Sequence, residues 1–447
     1  MNLINELIND DFDLSKGELP LANVASNTLF SHELLQEIRE KFAYIDTDPL
    51  TQKKRLFFDN AGGSYRLKSA VKRFSEIDLI PDHPQRHHKS ASYLADIERK
   101  GIEDARIIFN AKKGQIATYL TASQAIFEIT GVIAENIPGT NIVTTALEHP
   151  SAYDSAKYYA EKLGKEFRVA QTNPVTGGVD VEEIIKLIDQ DTCFLSVIYA
   201  SNISGAILDI ETIVKEARKI KPDLYIIVDS VQHAPHGIID VEKTPVDAMN
   251  FAPYKFFGVR GSGVAYLSER AAKLPHHRLF GKAEDDWQLG SPVPAHYAVI
   301  SEIVDYVCWI GRQFTNESDK RSLYVEGMKR IALHEQGLLE IMLNGTDRVR
   351  GIRHIPGVTV HLDYEDLSTR DLIVAMSIEG LDPVEAVRLY EQENIIVYER
   401  VASSILSKRM LESFGLTGAV RVSPLHCNSV EDIEEFLRVT EKIAGRK

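Results

Sequence analysis

Between residues 141 and 230 the chain alternates short apolar runs with amphipathic helical patterns. No other feature constrains its fold as much. "NIVTTALEH" (141–149) reads as a buried strand, and "SAYDSAKYYAEKLG" (151–164) has helical spacing and ends in glycine. "FRVAQT" (167–172) is the next strand, "VDVEEIIKLID" (179–189) an amphipathic helix and "TCFLSVIYASN" (192–202) a strand. "DIETIVKEARKI" (209–220) is a helix and "LYIIVDS" (224–230) a strand; "VDAMNFAP" and "GVAYLS" add two more strands. Alternation of this kind implies a mostly parallel sheet covered by helices on both faces. The expected class is α/β.

After about residue 300 the texture changes. "AVISEIVDYVCWIGRQF" and "SLYVEGMKRIALHEQGLLEIMLNGT" read as long helices, followed by shorter strands in "GVTVHL", "DLIVAMSIEG", "NIIVYE" and "AVRVSP". The expected division is an N-terminal segment (1–45) packed on the main body, a large domain (46–300) and a smaller α/β domain (301–447). The length of 447 residues allows two or three domains.

The net charge of −14 argues against nucleic acid as a main partner, which needs a basic footprint. Cys193, Cys308 and Cys427 are far apart and show no CxxC spacing, so neither a disulfide framework nor a zinc site is indicated. The first residues are acidic and lack the order of a signal peptide. No stretch approaches the roughly 20 apolar residues of a membrane span. A cytoplasmic location is expected.

In an open α/β sheet, ligands gather outside the carboxyl ends of the strands. The first strand is followed by Glu148 and His149, the second of interest by Ser201 and Asn202, and the third ends at Asp229, with Gln232 and His233 soon after. Lys255 sits in "FAPYKFFGVRGSG" (251–263), at the end of another apolar run. An organic cofactor with a pyridine ring uses such a set: an aspartate for the ring nitrogen, a histidine to stack, and a lysine to form an imine with an aldehyde. Taken singly, each residue has a plainer reading as a turn, a cap or a snorkelling amine. "TASQAIFEITG" (121–131) places Ser123 where it can cap a helix whose free N–H groups bind an anion.

These residues carry a resemblance that runs from about Phe57 to Arg421 and beyond. The chain resembles the class V aminotransferase group of pyridoxal-phosphate (PLP) enzymes, and within it the cysteine desulfurase-like proteins. "FFDNAGGSY" (57–65), "EHPSAY", "ASNISGAI", "VDSVQHAPHG", "APYKFFGVRGSG" and "VRVSPLHCNSVEDIEEF" are each similar to a motif of that group. The resemblance implies fold type I, with a large domain built on a seven-stranded sheet and a smaller C-terminal domain. It implies Lys255 as the Schiff-base lysine that also moves the substrate's proton, and Asp229 against the pyridinium nitrogen. Gln232 then bonds the ring hydroxyl, His149 stacks on the ring, and Asn202 lies near both the hydroxyl and the substrate carboxylate. Ser123 and Gln124 fall at the phosphate, with Tyr254 beside the cofactor. Arg421 clamps the α-carboxylate, and Ala61, Gly62 and Arg86 belong to segments near the substrate. Ser291, in "WQLGSPVP" (287–294), is the residue that reaches the phosphate of a neighbouring subunit, so a homodimer with shared sites is implied.

The departures matter as much. Ala252 and Tyr254 stand where the group usually has serine and histidine. The desulfurases' mobile-loop cysteine is missing. "YERVASSILSKRM" (398–410) offers Ser403 and Ser404 instead, and persulfide formation needs a thiolate. Cys427 lies six residues past Arg421, outside that loop, and reads as packing. The histidines of "DHPQRHHKS" (82–90), His83, His87 and His88, are expected near substrate rather than on a metal, and "HHR" (276–278) reads as a solvated loop. A PLP-dependent aminotransferase acting on an amino acid is the leading expectation. The alternatives are a C–S β-lyase, an amino-acid epimerase and a non-catalytic PLP-binding protein.

Overall fold

The computed structural model describes residues 28–446. The part of the expected N-terminal segment that precedes Thr28 lies outside the described residues. In chain order the strands are β1 (Leu56–Phe57), β2 (Gln115–Tyr119), β3 (Asn141–Thr145), β4 (Glu166–Ala170), β5 (Thr192–Ile198), β6 (Tyr225–Asp229), β7 (Ala248–Phe251), β8 (Gly263–Leu267), β9 (Val358–His361), β10 (Val374–Ile378), β11 (Ile395–Ile396), β12 (Tyr398–Val401) and β13 (Gly418–Val422). The helices used below are α1 (His32–Lys41), α2 (Lys68–Asp78), α3 (Lys89–Phe109), α4 (Ala122–Asn136), α5 (Pro150–Leu163), α6 (Val181–Ile185), α7 (Ile210–Ile220), α8 (Glu269–Ala272), α9 (Pro294–Gly311), α10 (Lys320–Asn344), α11 (Pro383–Gln392), α12 (Lys408–Ser413) and α13 (Val430–Ala444).

The main sheet has seven strands in the order β2-β8-β7-β6-β5-β3-β4. From β4 to β7 the pairs are parallel; β8 runs antiparallel to both its neighbours. Every residue of β3 and of β5 is buried, as a strand covered on both faces requires. The chain steps outward from β3 to β4, then returns to lay β5 on the other side of β3. That reversal opens a crevice at the carboxyl ends of β3 and β5. The smaller sheet is antiparallel, in the order β12-β13-β10-β9.

Two local expectations are corrected. The helix expected over 179–189 is one short turn of helix, α6, followed by loop. "NIIVYE" is two strands that belong to different sheets: β11 pairs in parallel with β1, while β12 pairs with β13.

Of the three apolar cores among the described residues, one packs α4 and α5 on the main sheet; the other two share α10. The larger takes in Phe42, Phe109, Phe251, Phe256, Phe257, most of α9 and the first half of α10 up to Ile331. The smaller begins within α10 at Leu338 and gathers β10, β13 and α13, together with Leu56 and Phe58. Near the middle of α10, Glu335 is buried and bonded to His236 Nδ1 at 2.7 Å and to the backbone N–H of His426 at 3.0 Å. Burial would favour the neutral forms, yet the pairing with Glu335 raises His236 to about 9, and Glu335 is lowered to about 2. Residues 28–45 pack on the body: Phe30 stacks on His334 with ring centres 4.4 Å apart, and Arg39 pairs with Asp432 at 2.7 Å. None of the described helices is long and apolar enough to cross a membrane.

Candidate active site

The carboxyl ends of β3, β5, β6 and β7 converge on a cavity of about 240 Å³. β7 delivers Lys255. After Phe251 the chain turns sharply, with Lys255 N–H donating to Ala252 O at 3.0 Å and Gly258 N–H to Pro253 O at 2.8 Å. Phe256 and Phe257 drop into the large core, and Lys255 is left facing the cavity. Phe257 has φ 63°, an uncommon conformation for a bulky residue, held by bonds from its N–H to Ser64 Oγ (2.9 Å) and from Leu67 N–H to its carbonyl (2.9 Å). The aromatic flanks thus anchor the turn that presents the amine.

Lys255 Nζ donates to Gln232 Oε1 at 3.1 Å. Its amine is lowered to about 7, first by burial and then by the positive charge of Arg421. Asp229, the last residue of β6, is buried. One carboxylate oxygen accepts from Val231 N–H (3.1 Å) and Asn250 Nδ2 (3.4 Å). Burial raises its pKa, so the site calls for a cationic partner to keep the carboxylate charged. His149 caps α5: its Nδ1 accepts from Ser151 N–H at 3.2 Å, and burial lowers it to about 4, so the ring is neutral. Asn202 lines the same cavity with its Oδ1 buried and unpartnered, while its carbonyl accepts from Arg421 Nη1 at 3.0 Å.

The helix cap differs from the expectation. Thr121, in extended conformation, caps α4 by accepting from Gln124 N–H at 3.0 Å, and Ser123 lies inside the first turn. Ser123 still lines the cavity with Thr121 and Ala122. Gln124 instead accepts from Leu120 N–H at 3.3 Å and is not among the cavity-lining residues. Tyr254 lines the cavity, and the guanidinium of Arg260 sits 4.5 Å over its ring.

Arg421 is buried on β13, bonded through Nη2 to Asp59. Ala61 and Gly62 follow that aspartate. A side chain at Gly62 would stand 2.9 Å from Asp59 Oδ2 and 3.2 Å from Arg421 Nη2, so glycine is what lets the pair close. Arg86 is exposed in the loop before α3 and is not brought to the cavity. Ser291 also lies outside the cavity of its own chain, with Oγ 2.8 Å from His83 Nε2. His233 turns away: it stacks on Tyr199 at 4.3 Å and meets Asp371 at 3.1 Å beside a larger cavity of about 820 Å³. Of the residues read at the strand ends, His233 alone lines that second cavity. In the expected solvated loop His277 is exposed, while His276 is half-buried and stacks on Trp287 at 4.3 Å.

Three cations were not expected from the sequence. Arg260 lines the cavity, Arg400 on β12 is buried near Arg421, and Arg409 bonds the carbonyls of Ala146 and Glu148. Arg400 had a signal in the sequence: it stands in the segment where the desulfurases' cysteine is missing.

A family model described as aminotransferase class-V matches residues 56–291. The chain belongs to the aminotransferase class-V family. It is therefore a PLP-dependent enzyme. It is 27% identical over 430 residues to the aminotransferase-like protein FGM3 of Gibberella zeae, covering 92% of this chain and 98% of that protein. It is 26% identical over 371 residues to a probable cysteine desulfurase of Borreliella burgdorferi, covering 74% and 86% of the two chains. Among solved structures, the apo cysteine desulfurase of Thermococcus onnurineus NA1 superposes with a TM-score of 0.76 at 21% identity, covering 92% of this chain and 98% of that one, a likeness of fold.

The residues present fit PLP. The cavity offers a buried carboxylate lacking a cation, a neutral imidazole wall and an amine near neutrality. At the other end lies a helix N-terminus flanked by Arg260, where a phosphate is favoured.

Proposed function

We propose that this chain is an aminotransferase that takes an amino acid at the cavity around Lys255. Bound PLP supplies the electron sink that makes the substrate's Cα–H acidic. The chain's own residues account for the rest. Lys255 Nζ, lowered to about 7, can accept the Cα proton and deliver it to another carbon. Asp229 sets negative charge against the ring nitrogen, and neutral His149 covers one ring face. The start of α4, with Ser123 and Arg260, receives the phosphate. Arg421 orients the α-carboxylate as a planar fork suited to that group.

The observation that carries this reading is the meeting of a near-neutral Lys255 with Asp229 in one cavity, with Arg421 just behind it on the carbonyl of Asn202 and no thiol among the lining residues. Cys193, Cys308 and Cys427 are all buried, and burial pushes each thiol upward, away from the reactive thiolate. A persulfide route therefore has no nucleophile. Release of sulfide and pyruvate from cysteine by β-elimination is the second reading, favoured by the cysteine desulfurase names of several relatives. Incubating the holoenzyme with amino acids and a keto acid, then with L-cysteine alone, separates the two. Keto-acid exchange supports transamination; sulfide with pyruvate in equal amounts overturns it in favour of the lyase.

The active unit is proposed to be a homodimer. Leu279, Phe280 and Leu289 are exposed in the segment that leads to Ser291, and a run of large apolar side chains in water is favourable only when covered.

A further inference from the structure

Arg400 and Arg421 project from one face of the small sheet. Arg421 pairs across β13–β12 with Tyr398, and Arg400 pairs with Ala419. A period of two places all four side chains on the same side. Both guanidiniums lie over the ring of Tyr398, that of Arg421 at 5.1 Å and that of Arg400 at 5.9 Å. Both arginines are buried, at 2% and 4% exposure.

Their partners are unequal. Arg421 holds Asp59 and the carbonyl of Asn202. Arg400 makes no ion pair among the described residues. Its Nη2 donates to Leu406 O at 3.0 Å, and its Nε is buried without a partner, as is that of Arg421. Burial and the neighbouring Arg421 lower Arg400 to about 9, and its charge also depresses Lys255 and His149. A buried cation without an anion is costly, and the cost is worse beside a second cation. One carboxylate, Asp59, serves both. The α-carboxylate of an amino acid would balance the remaining charge in number, but with that carboxylate and Asp59 both on Arg421, Arg400 keeps a buried Nε without a partner.

We infer that Arg400 receives a second acid group, so that the substrate is an amino acid whose side chain carries an anion. Arg421 takes the α-carboxylate and Arg400 the side-chain oxyanion. This rests on the proposed reading of the cavity as an amino-acid site and deepens it.

The test begins with non-reacting probes. Calorimetric titration of the purified holoenzyme compares succinate, with two carboxylates, against propionate, with one. A charge-assisted bond at Arg400 makes succinate bind roughly ten- to hundred-fold tighter. Arg400→Met removes that preference, Arg400→Lys restores part of it, and Arg421→Met weakens both probes. Equal binding of succinate and propionate by the wild type overturns the inference without need of any variant. So does a preference unchanged in Arg400→Met. The second arm follows the cofactor's visible absorption while L-aspartate, L-glutamate, L-asparagine and L-glutamine are added. The acids acting at roughly ten-fold or more lower concentration than their amides supports the inference; a response to acids and amides at equal concentration overturns it. A succinate preference that depends on Arg400, with no spectral response to any amino acid, supports the two-anion site and refutes the aminotransferase reading instead.

Discussion

Replacing Lys255 by methionine in the cofactor-free protein isolates the free-energy cost of burying this amine. The folded protein lowers the amine from 10.5 to about 7, and the residue is 8% exposed. Above both values the amine is neutral whether or not the chain is folded, and burial carries no ionisation cost. As pH falls below 10.5 the unfolded chain takes up a proton that the folded chain refuses. Stability is lost across the window from 10.5 down to 7, and below 7 the loss is constant. Linkage puts the penalty at under about 1 kcal/mol at pH 10 and about 3 kcal/mol at pH 8. Lys255→Met abolishes that term. The variant's stability relative to wild type should therefore rise by about 2–3 kcal/mol between pH 10 and pH 8. Urea unfolding of both cofactor-free proteins at the two pH values measures it. A difference that stays constant within about 0.5 kcal/mol means that the amine keeps its ordinary affinity for protons, and the argument for Lys255 as a base near neutral pH fails with it.

Asp229→Asn removes the anion proposed to face the ring nitrogen; PLP should bind roughly ten- to hundred-fold more weakly by fluorescence titration. Glu335→Gln leaves His236 and His426 without their carboxylate and should cost about 3–5 kcal/mol in urea unfolding at pH 7. In the wild type, His236's share of that stability is full below pH 6.5 and fades as pH rises through about 9. Phe280→Asp should shift the protein to monomer in sedimentation, whereas unchanged mass would place the dimer contact elsewhere.

Much of this architecture is legible in the sequence because β3, β5 and β6 are short apolar runs closed by polar residues. Burial on both faces demands the former, and the crevice gathers the latter. His149, Asn202, Asp229 and Lys255 are legible as a group because Asp229 ends its strand and the other three each lie four residues past theirs. Ser123 was misread as a cap because threonine two residues earlier offers the same chemistry, and only the backbone angles decide between them. Arg400 and Asp59 escaped for another reason. Their proximity to Arg421 depends on the register of β12 against β13 and on the bridge between Asp59 and Ser423, pairings between segments more than 360 residues apart in the latter case. Arg86 and Ser291 lie on exposed loops whose positions relative to a partner a single chain does not define.

The division of α10 between the two cores has a mechanical consequence. One continuous helix of 25 residues serves as an axle common to both parts. Lys255 is mounted on one part, and Arg400 and Arg421 on the other. A free hinge would have to break this rod, strip Glu335 from its histidines and pull β1 off β11. The arginines can therefore approach the lysine only by small sliding movements of packed side chains. With Arg421 holding the acid and Lys255 moving the proton as proposed, the distance between the two is set by the scaffold before any substrate arrives. On that reading, a substrate must match the spacing of two anchors that the common helix holds in place.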